Sequence, residues 1–455
     1  MTTTSTTSTR IVVAAFLSLA AVHQGRAQDT LHIETLQDAA VDRDPRGEQA
    51  RLLRTQSALR LTTLDAERLP QLSLGGFASH QSDVTAVPIK IPGSTIPAPP
   101  KDRWQATLDV QQVIYDGGSA ESKRAVERAR LAESSAAVDA TLYRLRAEVN
   151  ASFFIAYMLQ ERGHELDALL GDLEARLGVA RSRVVNGTAL GRDTLAIVAE
   201  RLRTELSRDE ANASRAASLA VLARLTGFSV DTNKVLVLPD YARQVAASRN
   251  DGPPESMRRR PEFEQFRLTR TRLDREAALS SVENRPRLLA FGQGGVGRPG
   301  LNQFRTDPAD FWQAGIRVEW RPWTWGNPGR AAEVLHVQER VVDTEEKALA
   351  EQLARAVESD VADMQRLQGA LGTDDRVVSL RNEIERQARA QFNEGVITAA
   401  EYVELRTDVL EARLSLQRHR AELAQAQARY LTTLGLTHMR QTNPMTGFKR
   451  DSTPR

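Results

Sequence analysis

The sequence contains no cysteine among its 455 residues, which excludes disulfide bonds and thiolate metal sites. Aromatic residues make up only 5% of the chain. The seven histidines are scattered, without the His-Glu-x-x-His spacing of zinc hydrolases, and no G-x-S-x-G nucleophile elbow is present. We therefore predict that the chain is not an enzyme and that it has no metal site and no cofactor.

Long apolar runs are also missing. Near the N-terminus, Arg10 precedes a short apolar run over 11–22, and Gly25-Arg26-Ala27 follows. This order is typical of a secretory signal peptide, here 1–27, cleaved after Ala27. The run is about half of the ~20 residues that a membrane-spanning helix needs. An exported chain without such a helix is either soluble or spans a membrane as a β-barrel.

An excess of charge of either sign is lacking as well. Lys and Arg total 61, and Asp and Glu total 59. The predicted signal peptide carries Arg10 and Arg26 and no acidic residue, so the mature chain has equal numbers of both signs. A nucleic-acid partner would require a clustered basic surface, and we expect none.

The chain instead contains an internal repeat. Trp104 and Trp312 are 208 residues apart, as are Gly187 and Gly395. Such self-similarity indicates a duplicated structural unit. The predicted segments are a first repeat over 28–227, a linker over 228–254, a second repeat over 255–435 and a disordered tail over 436–455.

Each repeat is predicted to contain a helix, two strands and two long helices. The strands and long helices are predicted at about 71–80, 104–115, 119–185 and 190–226, and again at about 287–295, 311–321, 329–393 and 398–434. Residues 119–185 include no proline, and a helix of this length is on the order of 100 Å long. Leu166, Leu170, Leu173 and Leu177 have the spacing of a coiled-coil seam.

The second predicted strand of each repeat alternates between apolar and polar residues, which gives that strand one apolar face. This pattern favours a barrel wall with lipid outside and water inside. Because four strands are too few for a membrane barrel and open edges cannot remain in lipid, several chains must share one barrel. The predicted lipid-facing residues are Trp104, Leu108, Val110, Trp312, Ile316, Val318 and Trp320.

Short motifs in both halves are similar to those of one known family. Residues 390–398, followed by Tyr402-Val403-Glu404-Leu405, resemble the helix-hairpin tip of the TolC-like outer-membrane factors, and 185–195 are the first-half copy. Residues 115–118 and 325–327 resemble the family's glycine-containing passages from strand to helix. The resemblance covers essentially all of the mature chain.

The resemblance implies a fold that is mainly α with membrane β, and a homotrimer in the bacterial outer membrane with a helical tunnel in the periplasm. Its function would be a passive exit duct of a tripartite efflux pump or a type I secretion system. An inner-membrane transporter would supply the energy through a periplasmic adaptor. The implied adaptor contacts are Asn186, Gly187, Thr188, Glu394, Gly395 and Val396.

The family also places acidic rings at the periplasmic aperture, and Glu401 and Glu404 match those positions. Asp193 matches a position that helps to latch the tip closed. The family's latch uses an aromatic hydroxyl and a basic residue where this chain has Phe392 and Ile397, and neither can pair with a carboxylate.

Three alternatives stay open from the sequence. Arg192 could pair with Glu401 in place of the family's latch. The acidic residues could also belong to an ordinary solvated helix face. For the whole chain, the alternative is a soluble periplasmic coiled-coil scaffold or adaptor protein.

Overall fold

A computed structural model describes residues 30–85, 98–230, 232–249 and 253–436 of the chain. The predicted signal peptide and nearly all of the predicted tail lie outside the described residues. Within the described ranges the chain is mainly helical with some sheet, so this part of the predicted fold class is confirmed. No helix in these ranges carries an apolar stretch long enough to cross a membrane.

The first half of the chain begins with a short strand and two helices and continues with two strands and two long helices. These elements are β1 (Thr30–Leu31), α1 (Ile33–Arg43), α2 (Arg46–Ala66), β2 (Gln71–His80), β3 (Asp102–Tyr115), α3 (Ser119–Val185) and α4 (Gly191–Thr226). We call α3 and α4 hairpin 1.

A short connecting region leads into the second half, where the same order of strands and long helices recurs. Its elements are β4 (Val235–Leu236), α5 (Ala242–Ser248), α6 (Pro253–Met257), α7 (Pro261–Val282), β5 (Arg287–Arg298), β6 (Ala309–Glu319), α8 (Asn327–Glu394) and α9 (Ala399–Thr433). We call α8 and α9 hairpin 2.

The strands from the two halves form one antiparallel sheet in the order β2-β3-β5-β6. In its register, Leu74 is opposite Leu108, Leu108 is opposite Gly294, and Gly294 is opposite Trp312. Residues directly opposite each other on neighbouring strands point to the same side, so these residues share one face of the sheet. The outer strands, β2 and β6, each pair with one neighbour in the described chain, so each has an open edge.

A carboxylate and two glycines make the passage from the sheet into hairpin 1. Gly117 and Gly118 have φ values of 71° and 92°, which non-glycine residues rarely adopt. Asp116 accepts hydrogen bonds from the N–H groups of Gly118 (2.9 Å) and Ala120 (2.7 Å). These bonds satisfy free donors at the start of α3, which therefore begins directly below the sheet.

Two hydrophobic clusters hold the helices together. The larger one lies in the middle of the helical part, around Phe153, Phe154 and Tyr430. The smaller one lies toward the turns that join α3 to α4 and α8 to α9. In it, Leu169, Leu173 and Leu177 of α3 pack with Tyr402 of α9. Leu169 is buried whereas Leu170 is only half-buried, which corrects the predicted seam. A helix with 3.6 residues per turn drifts from a strict heptad, so its buried face shifts by one residue.

Candidate functional site

The two hairpins end in turns of the same construction. In hairpin 1, the N–H of Gly187 donates to Val184 O (3.1 Å) and that of Thr188 to Arg183 O (2.9 Å). In hairpin 2, Gly395 and Val396 make the equivalent pair of hydrogen bonds, to Phe392 O (3.2 Å) and Gln391 O (2.8 Å). Both glycines have positive φ values, 71° and 77°. This is the Schellman ending of a helix, which closes its last carbonyls and turns the chain sharply.

The turns present their side chains to solvent. All six residues predicted to contact an adaptor are exposed, and Val396 is 72% exposed. Val185 and Leu190 beside the first turn are 85% and 57% exposed. Exposed apolar residues at both turns form a surface that another protein can cover. Contact of these residues with an adaptor remains a prediction.

Glu401 lies in the first turn of α9 and forms a capping box with Thr398. Its carboxylate accepts from the N–H of Thr398 (2.8 Å) and from the Thr398 hydroxyl (3.0 Å), and its own N–H donates back to that hydroxyl (3.2 Å). The Thr398 N–H, and after it the hydroxyl, lower the pKa of the Glu401 carboxyl. Glu401 therefore bonds to Thr398 and not to Arg192.

Asp193 occupies the same position at the start of α4. Its carboxylate accepts from the N–H of Leu190 at 3.1 Å. Leu190 has no side-chain acceptor, so only one half of the capping box forms here. Both carboxylates thus accept a hydrogen bond from a backbone N–H at the start of the helix that follows each turn. Glu404, one turn beyond Glu401, is exposed and has no ion pair in the described part of the chain.

A buried polar cluster joins the two hairpins behind these turns. The Tyr402 hydroxyl is 2.7 Å from Asp172 Oδ2 of α3 and 3.2 Å from Glu385 Oε1 of α8. Arg406 Nε is 3.4 Å from Asp172 Oδ2, and Arg176 Nε is 3.5 Å from Asp172 Oδ1. We call Asp172, Arg176, Glu385, Tyr402 and Arg406 the tip cluster.

Burial strengthens the contacts of the tip cluster and keeps the Tyr402 hydroxyl protonated. Tyr402 is fully buried, and the side chains of Asp172 and Arg406 are only 14% and 10% exposed. Burial, and after it the hydrogen bond to Asp172, raise the pKa of Tyr402 above its ordinary value. The hydroxyl therefore stays protonated at neutral pH and can donate to a carboxylate. Breaking such a buried pair is far more costly than breaking a surface pair.

A second contact ties the end of α8 to hairpin 1. Arg183 of α3 donates from its two terminal nitrogens to the backbone carbonyls of Phe392 and Asn393. Its guanidinium also lies 5.3 Å from the centre of the Phe392 ring. Phe392 in turn stacks on Tyr402, with 5.2 Å between ring centres. A cation at the C-terminus of a helix is favoured by the helix dipole.

Sequence reasoning identified Phe392 as unable to hydrogen-bond but missed this arrangement. The hydroxyl that reaches a carboxylate of hairpin 1 belongs to Tyr402, ten residues further along the chain and stacked on the Phe392 ring. The available signal was Tyr402-x-x-x-Arg406, which places a tyrosine and an arginine on one face of α9. Asp172 could not be found in this way, because its contact with α9 spans 230 residues.

The sheet has two chemically different faces. Trp312, Ile316 and Val318 are 78%, 66% and 67% exposed, so the predicted apolar face is uncovered in the single chain. On the opposite face, Gln313 donates to Gln293 (2.7 Å), and Gln293 donates to Asp109 (2.6 Å). A row of side-chain hydrogen bonds therefore crosses three strands on the polar face.

Glycines occupy positions on the polar face that have no room for a side chain. A Cβ atom added to Gly295 would lie 2.3 Å from the carbonyl oxygen of Ala106, and one added to Gly315 would lie 2.9 Å from the Phe291 ring. A Cβ atom on Gly292, which points to the apolar face, would meet nothing within 4 Å. Crowding at the glycines of this sheet is therefore confined to the polar face.

No protein-family model matches the sequence, and no curated protein matches it. Solved structures do match its fold. CusC, described for its transmembrane channel formation, has a TM-score of 0.65 at 13% identity, covering 88% of this chain and 91% of its own. The outer membrane protein VceC of Vibrio cholerae has a TM-score of 0.62 at 14% identity, with coverage of 89% and 96%. The outer membrane channel CmeC of Campylobacter jejuni has a TM-score of 0.62 at 13% identity, with coverage of 89% and 86%.

The similarity extends over nearly the full length of all three structures. The chain therefore has the fold of outer-membrane channel proteins. This shared fold confirms the resemblance to the TolC-like outer-membrane factors that the sequence motifs indicate.

Proposed function

We propose that this protein is a passive outer-membrane channel that forms the exit duct of a tripartite efflux pump or a type I secretion system. In this proposal three copies share one barrel, and their helices form a tunnel through the periplasm. The chain carries no catalytic role, and the energy comes from an inner-membrane transporter through a periplasmic adaptor.

The observation that carries the proposal is a four-stranded sheet whose two outer strands have open edges. Its apolar face is exposed, its polar face is bonded from strand to strand, and β2 and β6 have open edges. In lipid, open edges leave backbone groups without partners, so neighbouring sheets must join edge to edge. Closure places the apolar face against lipid and the polar face in a water-filled lumen.

The aperture assignment rests on symmetry and exposure. Glu404 is exposed on α9 without an ion pair in the described chain, so its charge is free to act on a permeating ion. Under threefold symmetry it repeats as a ring, and a negative ring attracts cations. Glu401 and Asp193 add negative charge at the starts of α9 and α4, although their first role is to cap those helices.

The soluble scaffold or adaptor is the less favoured alternative. A soluble protein rarely exposes an apolar patch as large as a whole sheet face. Its fold would also have to resemble outer-membrane channels over most of their length by coincidence. If the protein were soluble, fractionation of cells would recover it from the periplasm and not from the outer membrane.

A conductance experiment tests the channel and its aperture together. The full protein, purified from the outer-membrane fraction, is inserted into planar bilayers, and conductance and block by divalent cations are recorded. We expect discrete channels whose block weakens in Glu404→Gln. Glu411→Gln, which changes an exposed residue two turns further along α9, is the matched control and should leave the block unchanged.

The outcomes separate the two parts of the proposal. Absence of channels from folded, membrane-inserted protein would contradict the function. Channels whose cation block is equal in the wild type, Glu404→Gln and Glu411→Gln would contradict only the aperture assignment.

A further inference from the structure

Three potential metal ligands meet between α7 and α8. Asp274 lies on α7, and His336 and Glu339 lie three residues apart on one face of α8. Each side chain offers one ligand atom, and these atoms all lie within 4.8 Å of one another. His336 Nδ1 is 3.2 Å from Glu339 Oε2. The group lies outside the tips, in the part of α8 that follows the sheet.

Glu339 is incompletely satisfied by the protein. Its second oxygen, Oε1, is buried and has no hydrogen-bond partner within the described residues. Native proteins rarely leave a buried charged oxygen without a partner, and an unseen ion or water is one of the usual reasons. The orphan atom belongs to the same carboxylate that already faces His336.

Neighbouring arginines do not neutralise the site. Arg270 on α7 is paired with Asp343 (3.1 Å) and Glu346 (2.6 Å) of α8. Arg272 is paired with Glu133 (2.5 Å) and Glu276 (2.8 Å). Over the described ranges no arginine or lysine forms an ion pair with Asp274 or Glu339, and the ligand atoms of both carboxylates and of His336 lie within 4.8 Å of one another. This concentration of negative charge favours a cation.

The sequence predicts no metal site, but the packing of α7 on α8 brings these ligands together. We propose that Asp274, His336 and Glu339 bind a divalent first-row transition-metal ion, with Zn²⁺ as the representative. Imidazole nitrogen and carboxylate oxygen are common ligands of Zn²⁺, whereas Mg²⁺ and Ca²⁺ prefer oxygen alone. Three protein ligands leave a coordination position for water. The bound ion would cross-link α7 to α8 about 15 Å below the start of α8, because that helix rises ~1.5 Å per residue.

Metal titration of the full mature protein tests this site. The protein is purified in detergent without a histidine tag, stripped with a chelator, and titrated with Zn²⁺ by calorimetry and with Co²⁺ by visible absorption. We expect one ion per chain. His336→Ala and Asp274→Asn should each weaken binding by at least about tenfold, since even the loss of an outer-shell partner costs about that much. Zn²⁺ should also raise the melting temperature of the wild type and not that of His336→Ala.

His164→Ala is the matched control. His164 is also paired three residues away on a helix, with Glu161 at 3.8 Å, but has no third ligand beside it among the described residues. It should bind Zn²⁺ as the wild type does. Glu339→Gln keeps the side-chain shape and replaces any variant whose circular dichroism shows that it is not folded.

Two results would overturn the proposal. One is Zn²⁺ binding of equal affinity and stoichiometry in the wild type and in folded His336→Ala or Glu339→Gln. The other is displacement of Co²⁺ by Mg²⁺ as effective as displacement by Zn²⁺, which would mean that no imidazole takes part.

Discussion

The hydroxyl of Tyr402 in hairpin 2 lies 2.7 Å from the carboxylate of Asp172 in hairpin 1. This contact crosses from one half of the chain to the other, within the smaller hydrophobic cluster. Arg406 reaches the same carboxylate, and Phe392 stacks on the tyrosine ring. Any movement of one tip away from the other must break these buried contacts. The tip cluster is therefore the part of the structure best placed to hold the tips together.

Tyr402→Phe should loosen the tips. The substitution removes the hydroxyl and preserves the ring that stacks on Phe392. Loss of a hydrogen bond to a charged group should lower the free energy of unfolding by about 1.5–3 kcal/mol. We also expect a higher single-channel conductance. Chemical unfolding and bilayer recordings measure the two effects.

Tyr143→Phe is the control for this prediction. The Tyr143 hydroxyl donates to Thr432 O at 2.6 Å, well outside the tip cluster. This variant should lose stability without a change in conductance. Equal conductance in the wild type and Tyr402→Phe would show that the tip cluster does not hold the aperture closed.

The capping role of Glu401 should depend on pH. The pKa of Glu401 is lowered in the folded state from 4.5, mainly by the Thr398 N–H. A lowered folded-state pKa stabilises the protein at pH values above the unfolded pKa, and this stabilisation is lost as pH falls through the folded pKa. The difference in unfolding free energy between wild type and Glu401→Ala should therefore stay constant from pH 7 to about 5 and shrink only in more acidic solution.

Unfolding curves of both proteins across this pH range provide the measurement. A difference that already shrinks between pH 7 and 5 would contradict a carboxylate held ionised by Thr398. Thr398→Ala keeps the backbone donor and removes the hydroxyl, so it should leave a smaller pH-dependent stabilisation whose loss ends closer to the ordinary carboxyl range.

Charge on the apolar face of the sheet should prevent membrane assembly. Ile316 is 66% exposed on that face. If the face meets lipid, Ile316→Arg should cost about 2–4 kcal/mol near the middle of the bilayer. We expect little trimer in the outer-membrane fraction on semi-native gels. Gln313→Arg adds the same charge to the polar face of β6 and should still assemble; equal assembly of both variants would be evidence against a lipid-facing sheet.

The two faces of β5 should also differ in their tolerance of a methyl group. In Gly295→Ala the new Cβ would collide with the Ala106 carbonyl, whereas in Gly292→Ala it would meet nothing within 4 Å. Overpacking at Gly295 should cost about 1–3 kcal/mol, measured by unfolding in detergent. Gly292→Ala should be close to neutral. The reverse ranking would contradict the crowding of the polar face at Gly295.

Much of the architecture could be predicted from the sequence, because helices, turns and strand faces depend on residues close together in the chain. The stretch without proline coincides with α3, and Gly187 and Gly395 adopt the left-handed conformation that ends a helix. Alternation along β3 and β6 separates the apolar face from the polar face before any partner strand is known. The seam was displaced by one residue, from Leu170 to Leu169, because period alone does not fix which face of a long helix meets its neighbours.

The sequence by itself determined the lengths of the helices, the positions of the turns and the two faces of the strands, since these follow from backbone and side-chain preferences within a few residues. Only the tertiary structure decided that Tyr402 reaches Asp172, that Arg183 holds the end of α8, and that Asp274 joins His336 and Glu339. These contacts bring together residues far apart in the chain. Their geometry depends on how whole helices pack, which no local pattern specifies.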